Sequence, residues 1–168
     1  MPIENVVQPE ILPVDENLRL RKFDDHFDFA FAWYQDAETV YLVDGVRRPY
    51  SWETLANMYH YLDKHGELYF IEILENGGFR PIGDVTFSRD DLPIVIGDPA
   101  YRGCGIGKRV LGALIRRGRQ LGYETLGVEE IYDWNPASRW CFESMGFQFA
   151  KKTDKGASYI LSLQESAL

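Results

Sequence analysis

The amino-acid sequence predicts a mixed α/β fold in which a mostly antiparallel sheet of about seven strands carries helices on both faces. Short runs of β-branched and aromatic residues are interspersed with longer segments of helical periodicity. A hairpin signal, Asn76-Gly77-Gly78, joins two of the strand-like runs. The chain has 168 residues, of which 45% are hydrophobic and 26% charged, values that suit one domain with a full core.

The N-terminal part of the chain divides into an arm and a first strand. Residues 1–17 contain three prolines and several acids, and we expect them to form an arm over the surface. Residues 18–168 are then the single domain. Leu18 to Phe23 alternate between apolar and basic side chains and predict the first strand.

Two helices are expected next. Asp24 and Asp25 can cap a helix that runs to about Gln35. Residues 36–49 include glycine and proline and predict irregular chain with a short helical turn. Ser51 opens a second helix that ends near residue 64.

The remaining elements follow in a regular order. Residues 68–74 and 79–88 are the two arms of the predicted hairpin, and residues 92–96 form the next strand. One apolar face predicts a helix from about residue 105 to 121, which Gly122 ends. The later elements are a strand at 125–131, a helix at 136–145 capped by Asn135, and a terminal hairpin of strands 147–153 and 158–163.

Composition excludes several classes of function. The formal net charge of -8 makes nucleic acid and anionic membrane poor partners. Cys104 and Cys141 form neither a disulfide framework nor a metal-binding spacing, which favours a reducing, cytoplasmic location. The N-terminus lacks the pattern of a signal peptide, and no apolar stretch is long enough to cross a bilayer. The three histidines are scattered, so we expect no metal site.

The most informative segment is a glycine-rich turn between a strand and a helix, residues 96–108. Helix N-termini leave unpaired N–H groups that carry partial positive charge. Glycines at 103, 105 and 107 allow these groups to approach an anion without a Cβ in the way. The segment therefore predicts a phosphate-bearing ligand, with a ligand-free glycine turn as the alternative.

Two nucleotide-binding motifs do not fit this segment. A P-loop requires Ser or Thr after Gly-Lys, whereas Arg109 follows Gly107-Lys108. A dinucleotide-binding fingerprint that started at Gly103 would need glycine at position 108, where the chain has lysine.

Two motifs resemble those of the GCN5-related N-acetyltransferase (GNAT) superfamily. Arg102-Gly103-Cys104-Gly105-Ile106-Gly107 matches its Arg/Gln-x-x-Gly-x-Gly/Ala signature. Asn135-Pro136-Ala137-Ser138, followed by Phe142 and Gly146-Phe147, is similar to its Asn-x-x-Ala-x-x-x-Tyr…Gly-Phe segment. The resemblance covers roughly residues 94–150, and the order of elements extends it to most of the chain. It implies acetyl-CoA as co-substrate and no metal.

The resemblance also implies a set of coenzyme-binding residues. The backbone N–H groups of residues 104–108 would hold the pyrophosphate, Arg102 would shape the loop, and Lys108 or Arg109 would either meet a phosphate or lie on a solvated helix face. The pantetheine arm would lie between the end of the 92–96 strand and the 125–131 strand. The residues implied are Ile96, Gly97, Arg102, Gly103, Cys104, Gly105, Ile106, Gly107, Lys108, Asn135, Ser138 and Phe142.

The sequence departs from the family pattern at the general acid. Phe142, seven residues after Asn135, stands where the family usually has tyrosine, and phenylalanine cannot donate a proton. Tyr132 and Cys141 are nearby candidates, and water or unassisted departure of the thiolate are alternatives.

Carboxylates before Asn135 are candidates for the base. Glu129, Glu130 and Asp133 lie at the end of the 125–131 strand, and only one of the two glutamates can face the cleft because successive side chains point to opposite faces. Glu130 is the first choice, since some relatives place a substrate-binding acid there. Asp90 and Asp91 are the second choice, and for each acid simple surface solvation is the alternative.

The acceptor wall in this family comes from the first two helices and their connection. Trp33, Tyr34, Tyr41 and Trp52 are the candidates, among further aromatic side chains and the acids Asp36, Glu38 and Asp44. Aromatic faces beside carboxylates suit a cationic amine, and packing is the other interpretation. The first strand and Trp33-Tyr34 resemble the subgroup with ribosomal-protein N-terminal and aminoglycoside acetyltransferases.

Function is therefore expected to be transfer of an acetyl group to a primary amine of a small molecule or a protein N-terminus, by direct transfer in a ternary complex. An acetyl-CoA-binding sensor or regulatory module without catalysis is the alternative, and Phe142 favours it. A structural protein without ligand is a third option. Exposed strands near the C-terminus would allow a homodimer.

Overall fold

The strands of the protein form two sheets. The structure, a computed structural model, describes residues 1–164. The first sheet has five strands in chain order, all antiparallel: β1 (Ile11–Pro13), β2 (Leu18–Lys22), β3 (Glu67–Glu75), β4 (Gly78–Phe87) and β5 (Ile94–Ile96). The second has three antiparallel strands in the order β6 (Thr125–Tyr132), β8 (Gly156–Ser162), β7 (Gln148–Lys152).

Within residues 1–164, five α-helices connect these strands. They are α1 (Asp28–Phe31), α2 (Ala37–Asp44), α3 (Trp52–His65), α4 (Ile106–Gln120) and α5 (Pro136–Ser144). Local chemistry sets several of their ends. The side chain of Ser51 accepts a hydrogen bond from the Thr54 N–H at the start of α3, and a left-handed Gly122 follows α4, as expected from the sequence.

Helices cover both faces of the first sheet because successive side chains of its strands point to opposite sides. Tyr69, Ile71 and Ile73 of β3 belong to the cluster that packs on α4. Leu68 and Phe70 belong to a second, aromatic-rich cluster with residues of α1 and α3. Helix α4 therefore covers one face of the first sheet, and α1 and α3 cover the opposite face.

The fold class is confirmed, with four differences in its elements. Instead of one sheet of about seven strands, the described part of the chain has eight strands in two sheets. The expected arm contains β1, which pairs with β2 through Leu12 and Leu20. The first expected helix breaks into α1 and a 3-10 turn at Trp33–Gln35, and the segment expected to be irregular contains the two-turn helix α2.

Tertiary contacts explain these helical differences. The side chain of Asp36 accepts from the Thr39 N–H and starts α2, while Gly45 ends it in the left-handed region. The turn at 33–35 places Tyr34 in the core at 0% exposure. The expected continuous helix from residue 24 did not include this turn. Across residues 1–164, no helix has the length and apolarity needed to span a membrane.

Candidate active site

A gap separates β5 from β6 where the two sheets diverge. The segments meet at two hydrogen bonds, from the Gly127 N–H to the Arg89 carbonyl (2.8 Å) and from the Glu129 N–H to Asp91 Oδ1 (3.1 Å). Both segments advance in the same direction between these contacts, so they run parallel. Within the described chain no hydrogen bond joins 92–97 to 130–135, which places the closed end of the gap at Asp91.

The backbone of β5 offers hydrogen-bonding groups to this gap. The Gly97 N–H donates to the Ile82 carbonyl (2.9 Å) and the Pro93 carbonyl accepts from the Thr86 N–H (3.1 Å), so odd-numbered residues face β4. Strand alternation directs the groups of Ile94 and Ile96 the opposite way. The Gly97 N–H is thus committed to the sheet, and Ile96 supplies the amide that faces the gap.

The glycine loop leads from the open end of the gap into α4. Gly103 and Gly105 have φ of +71° and +77°, and a Cβ at either position would meet no heavy atom within 4 Å. Among residues 1–164, no acceptor is paired with the N–H groups of residues 103–108. Ile106 is buried and anchors the helix in the core. The loop is therefore open to solvent and lined by free amides, a suitable cradle for a diphosphate.

Arg102 ties this loop to the N-terminus of α2. Its guanidinium donates to Asp36 Oδ2 (2.9 Å), to the hydroxyl of Thr39 and, at 3.5 Å, to the Ile96 carbonyl. The hydrogen bond from Arg102 holds the pKa of Asp36 below its usual value. The Arg102 side chain thus connects the end of β5, the glycine loop and α2.

The two cations at the start of α4 differ in their surroundings. Arg109 binds Asp15 with two hydrogen bonds of 2.8 Å, so the N-terminal arm holds its charge. Lys108 is exposed and, among residues 1–164, forms no ion pair. Of the two, Lys108 is the one available to a phosphate.

Helix α5 lies beside the glycine loop. The Asn135 side chain accepts from the Ser138 N–H (3.1 Å) and caps the helix. A Cβ at Gly107 would lie 3.5 Å from Cys141 Sγ, and burial raises the pKa of that thiol. Phe142 is 4% exposed, so its ring packs in the core rather than lining an open cleft.

The carboxylates near the gap have different roles. Glu130 accepts from the Lys155 N–H (3.0 Å), and the Thr153 hydroxyl together with that N–H lowers the pKa of its carboxyl group. Glu130 thus stabilises the β7–β8 hairpin, and its lowered pKa weakens it as a base. Glu129 and Asp133 are exposed.

Asp91, unlike Glu130, has an environment that raises the pKa of its carboxyl group. It sits at the closed end of the gap, where its Oδ1 accepts a hydrogen bond from the Glu129 N–H. Burial raises the pKa of Asp91 against the lowering effect of that hydrogen bond. Its neighbour Asp90 is exposed and binds Arg89 (3.2 Å).

The expected acceptor residues do not all come together. Trp33 and Tyr34 are buried in the aromatic cluster, and the Trp33 ring fills the space that a Cβ on Gly97 would need. Trp52 is 46% exposed and stacks on Phe27, with ring centroids 4.7 Å apart. The structure gives these three a packing role at or under the sheet.

Of the four, Tyr41 alone reaches the mouth of the gap, which is its open end, and there it meets Trp134, a residue that the sequence did not single out. Trp134 donates from Nε1 to the Tyr41 carbonyl (2.9 Å) and stacks on Tyr132 with centroids 4.4 Å apart. Trp134 lies in the Asp-Trp-Asn segment just before the α5 cap. This position next to a family motif was the sequence signal that could have identified Trp134 as a site residue.

A buried carboxylate was also missed. Asp84 of β4 is 2% exposed, and its Oδ2 accepts from the hydroxyls of Tyr34 (2.7 Å) and Tyr59 (2.9 Å). Burial raises its pKa to about 6. No motif marks Asp84, because its importance arises from the two tyrosines brought to it by the fold.

Among residues 1–164, no group of three or more His, Cys, Asp or Glu side chains has the arrangement to hold a metal ion.

Comparison with known proteins gives a family and a set of relatives. The model of the acetyltransferase (GNAT) family matches residues 27–147. The chain is 35% identical over 103 residues to the [ribosomal protein bS18]-alanine N-acetyltransferase of Haemophilus influenzae. That match covers 59% of this chain and 64% of the relative, so it spans somewhat less than two thirds of the relative's length.

Solved structures share the fold at low sequence identity. An acetyltransferase of the GNAT family from Bacillus anthracis superposes with a TM-score of 0.75 at 13% identity, covering 92% of this chain and 99% of that one. A ribosomal L7/L12 alpha-N-protein acetyltransferase in complex with coenzyme A gives 0.69 at 17% identity, with 91% and 98% covered. The family model spans well over half of the sequence, and the chain belongs to the acetyltransferase (GNAT) family.

Proposed function

We propose that the protein is an acetyl-CoA-dependent N-acetyltransferase that transfers the acetyl group directly to a primary amine of a small molecule or a protein N-terminus. The main observation behind this proposal is the set of free amides of residues 103–108, which are open to solvent at the open end of the gap. Membership of the GNAT family supports it, as does the relative that acts on a ribosomal protein alanine. We expect it to act in the cytoplasm.

The geometry fits acetyl-CoA. The amides of the glycine loop and the N-terminal end of α4 would bind the pyrophosphate, and Lys108 would add a positive charge. The backbone groups of Ile94 and Ile96 would pair with the amides of the pantetheine arm, as an added strand does. When bound, the coenzyme supplies a thioester carbonyl carbon that is open to attack.

Asp91 is the base that the structure favours. A ligand extending along β5 from the glycine loop ends near Asp91, at the closed end of the gap. There its carboxylate would accept the proton that the amine loses when nitrogen attacks the carbonyl carbon. A base with a raised pKa is better matched to near-neutral pH than Glu130, whose pKa is lowered.

Tyr132 takes the place of the missing acid in this proposal. When the carbon–sulfur bond breaks, the thiolate needs a proton that Phe142 cannot give. Burial, followed by the negative charges of Glu130 and Asp44, raises the pKa of Tyr132, so its hydroxyl stays protonated at neutral pH. Water at the mouth of the gap would restore that proton.

The test combines coenzyme binding with thiol release. Calorimetry should show acetyl-CoA binding to the protein and to Asp91→Asn with similar affinity. The Asp91→Asn variant should lose at least about a hundredfold in kcat with an amine panel, the range expected for removal of a general base. In the parent protein kcat/KM should rise with pH through the raised pKa of Asp91, and the variant should lack this rise.

Glu130→Gln is the matched control, since it changes a neighbouring carboxylate in the same way. It should retain turnover and reduce stability at the hairpin. The base assignment is wrong if Glu130→Gln abolishes turnover and Asp91→Asn does not. Coenzyme binding without thiol release from any amine, peptides included, would contradict the enzymatic proposal.

A further inference from the structure

Four aromatic side chains line the mouth of the gap on the α1–α3 side. We call Tyr41, Tyr50, Tyr132 and Trp134 the aromatic wall. The Trp134 Nε1–H donates a hydrogen bond to the Tyr41 carbonyl, and the Trp134 ring stacks on Tyr132 with an interplanar angle of 16°. Each of the four is only partly buried, so the wall has a solvent-facing surface.

The orientation of β6 places this wall on the acceptor side. Ile131 belongs to the core cluster on α4, below the glycine loop. The next residue, Tyr132, points to the opposite face. A coenzyme that enters from the α4 end and an acceptor that enters past Tyr132 would therefore approach the thioester from different sides.

Unpaired negative charge surrounds the wall. Asp44 is half-buried, and its Oδ2 accepts from the Tyr50 hydroxyl (2.9 Å). Neither Asp44 nor Asp91 has a basic group within 4.0 Å among residues 1–164, and each carboxylate is close enough to affect the Tyr132 hydroxyl. A partly desolvated carboxylate without a counter-ion favours a cation nearby.

One ring of the wall already holds a cation. The guanidinium carbon of Arg47 lies 4.0 Å from the centroid of the Tyr41 ring, while the Arg47 side chain remains 59% exposed. The negative face of an aromatic ring attracts a cation at this separation. The electrostatics of the wall thus suit ammonium or guanidinium groups rather than neutral ones.

We infer that the acceptor carries a second positive charge besides the amine that is acetylated, and that this charge binds between Asp44 and the rings of Tyr132 and Trp134. The reacting amine must be neutral when it attacks, so a charge that the wall recognises has to come from another group on the acceptor. This inference rests on the proposed acetyl transfer and specifies its substrate class as a compact primary amine with a second cationic group.

The test uses two acceptors that differ in one charge, 1,4-diaminobutane and 1-aminobutane, with thiol release as the readout. The diamine should have a kcat/KM at least about tenfold higher, mainly through a lower KM. The Asp44→Asn variant should lose most of this preference while its affinity for acetyl-CoA, measured by calorimetry, stays unchanged.

Glu16→Gln is the control, because it removes one exposed acid in the N-terminal arm and leaves the wall intact. It should keep the preference for the diamine. Equal kcat/KM for both amines, or a preference that survives in Asp44→Asn, would overturn the inference while acetyl transfer stands. Absence of coenzyme binding or of any thiol release would instead overturn the proposed function.

Discussion

Asp84 shows how a single residue acquires its properties from the fold. The carboxylate is buried in β4, and two tyrosine hydroxyls donate to the same oxygen. Burial disfavours the charged form more than the two hydrogen bonds favour it, so the pKa rises from 3.8 to about 6. Tyr34 also stacks on Tyr50 of the aromatic wall, with centroids 5.1 Å apart, so this buried network extends to the aromatic wall.

The raised pKa predicts a pH dependence of stability. The folded protein binds the Asp84 proton more tightly than the unfolded chain does, so this group lowers the unfolding free energy as pH rises from about 4 to about 6. At about 1.4 kcal/mol per pH unit, the loss approaches about 3 kcal/mol above pH 6.

An Asp84→Asn variant should lack this loss, since an amide oxygen accepts hydrogen bonds without being charged. The unfolding free energy of the variant minus that of the parent protein should therefore increase between pH 4 and pH 6. Above pH 6 this difference should stay constant at its higher value. Urea unfolding at several pH values measures the difference. A difference that does not vary with pH would show that Asp84 titrates normally in the fold.

At the scale of an element, the N-terminus of α4 is the proposed binding site of the coenzyme pyrophosphate. Gly105 is its N-cap in the left-handed region, and the preceding loop turns through Gly103 in the same region. These conformations leave the amides of the first turn uncovered. Side chains with a Cβ adopt them only with strain of about 1 kcal/mol or more.

Gly105→Ala should weaken acetyl-CoA binding, because the Cβ strains the turn and intrudes on the space of the pyrophosphate. We expect at least about a tenfold loss of affinity by calorimetry, a change of about 1.4 kcal/mol.

Gly112→Ala in the middle of α4 is the matched control. Its Cβ would make ordinary contacts at 3.7 Å with Arg116 and Met145, so helix propensity should stabilise the protein slightly and binding should not change. Equal affinity of Gly105→Ala and Gly112→Ala would contradict the role of the loop.

At the scale of the whole molecule, a buried ion pair fixes α4 on the first sheet. The Arg117 guanidinium donates to both oxygens of Glu67 (2.5 and 2.7 Å), and the Tyr69 hydroxyl also bonds Glu67 (2.9 Å). Glu67 is 0% exposed. The pair anchors the C-terminal half of the helix whose N-terminal end forms the glycine loop.

Removing one partner should be costly because it leaves the other charge buried. Glu67→Gln should lower the unfolding free energy by about 3–5 kcal/mol. Glu75→Gln is the control, since its pair with Arg80 is exposed and should contribute no more than about 1 kcal/mol. Urea unfolding of both variants tests this, and similar small losses in the two would refute the anchoring role.

The sequence alone determined the features that depend on neighbouring residues. Glycine spacing predicted the turn into α4, Asn135 predicted the cap of α5 and Asn76-Gly77 predicted the β3–β4 hairpin. These structures form within a few residues, because caps and tight turns are set by local backbone and side-chain hydrogen bonds. The fold class and the family signature followed from their order along the chain.

Tertiary structure decided which distant residues meet, and with them the chemistry of the site. Trp134 bonds Tyr41 across 93 positions and Tyr34 bonds Asp84 across 50. Alternation along a strand shows which side chains share a face, but not which helix will cover that face or how deeply each acid is buried. For this reason the sequence favoured Glu130 as the candidate base, whereas burial and position in the folded chain favour Asp91 for that role.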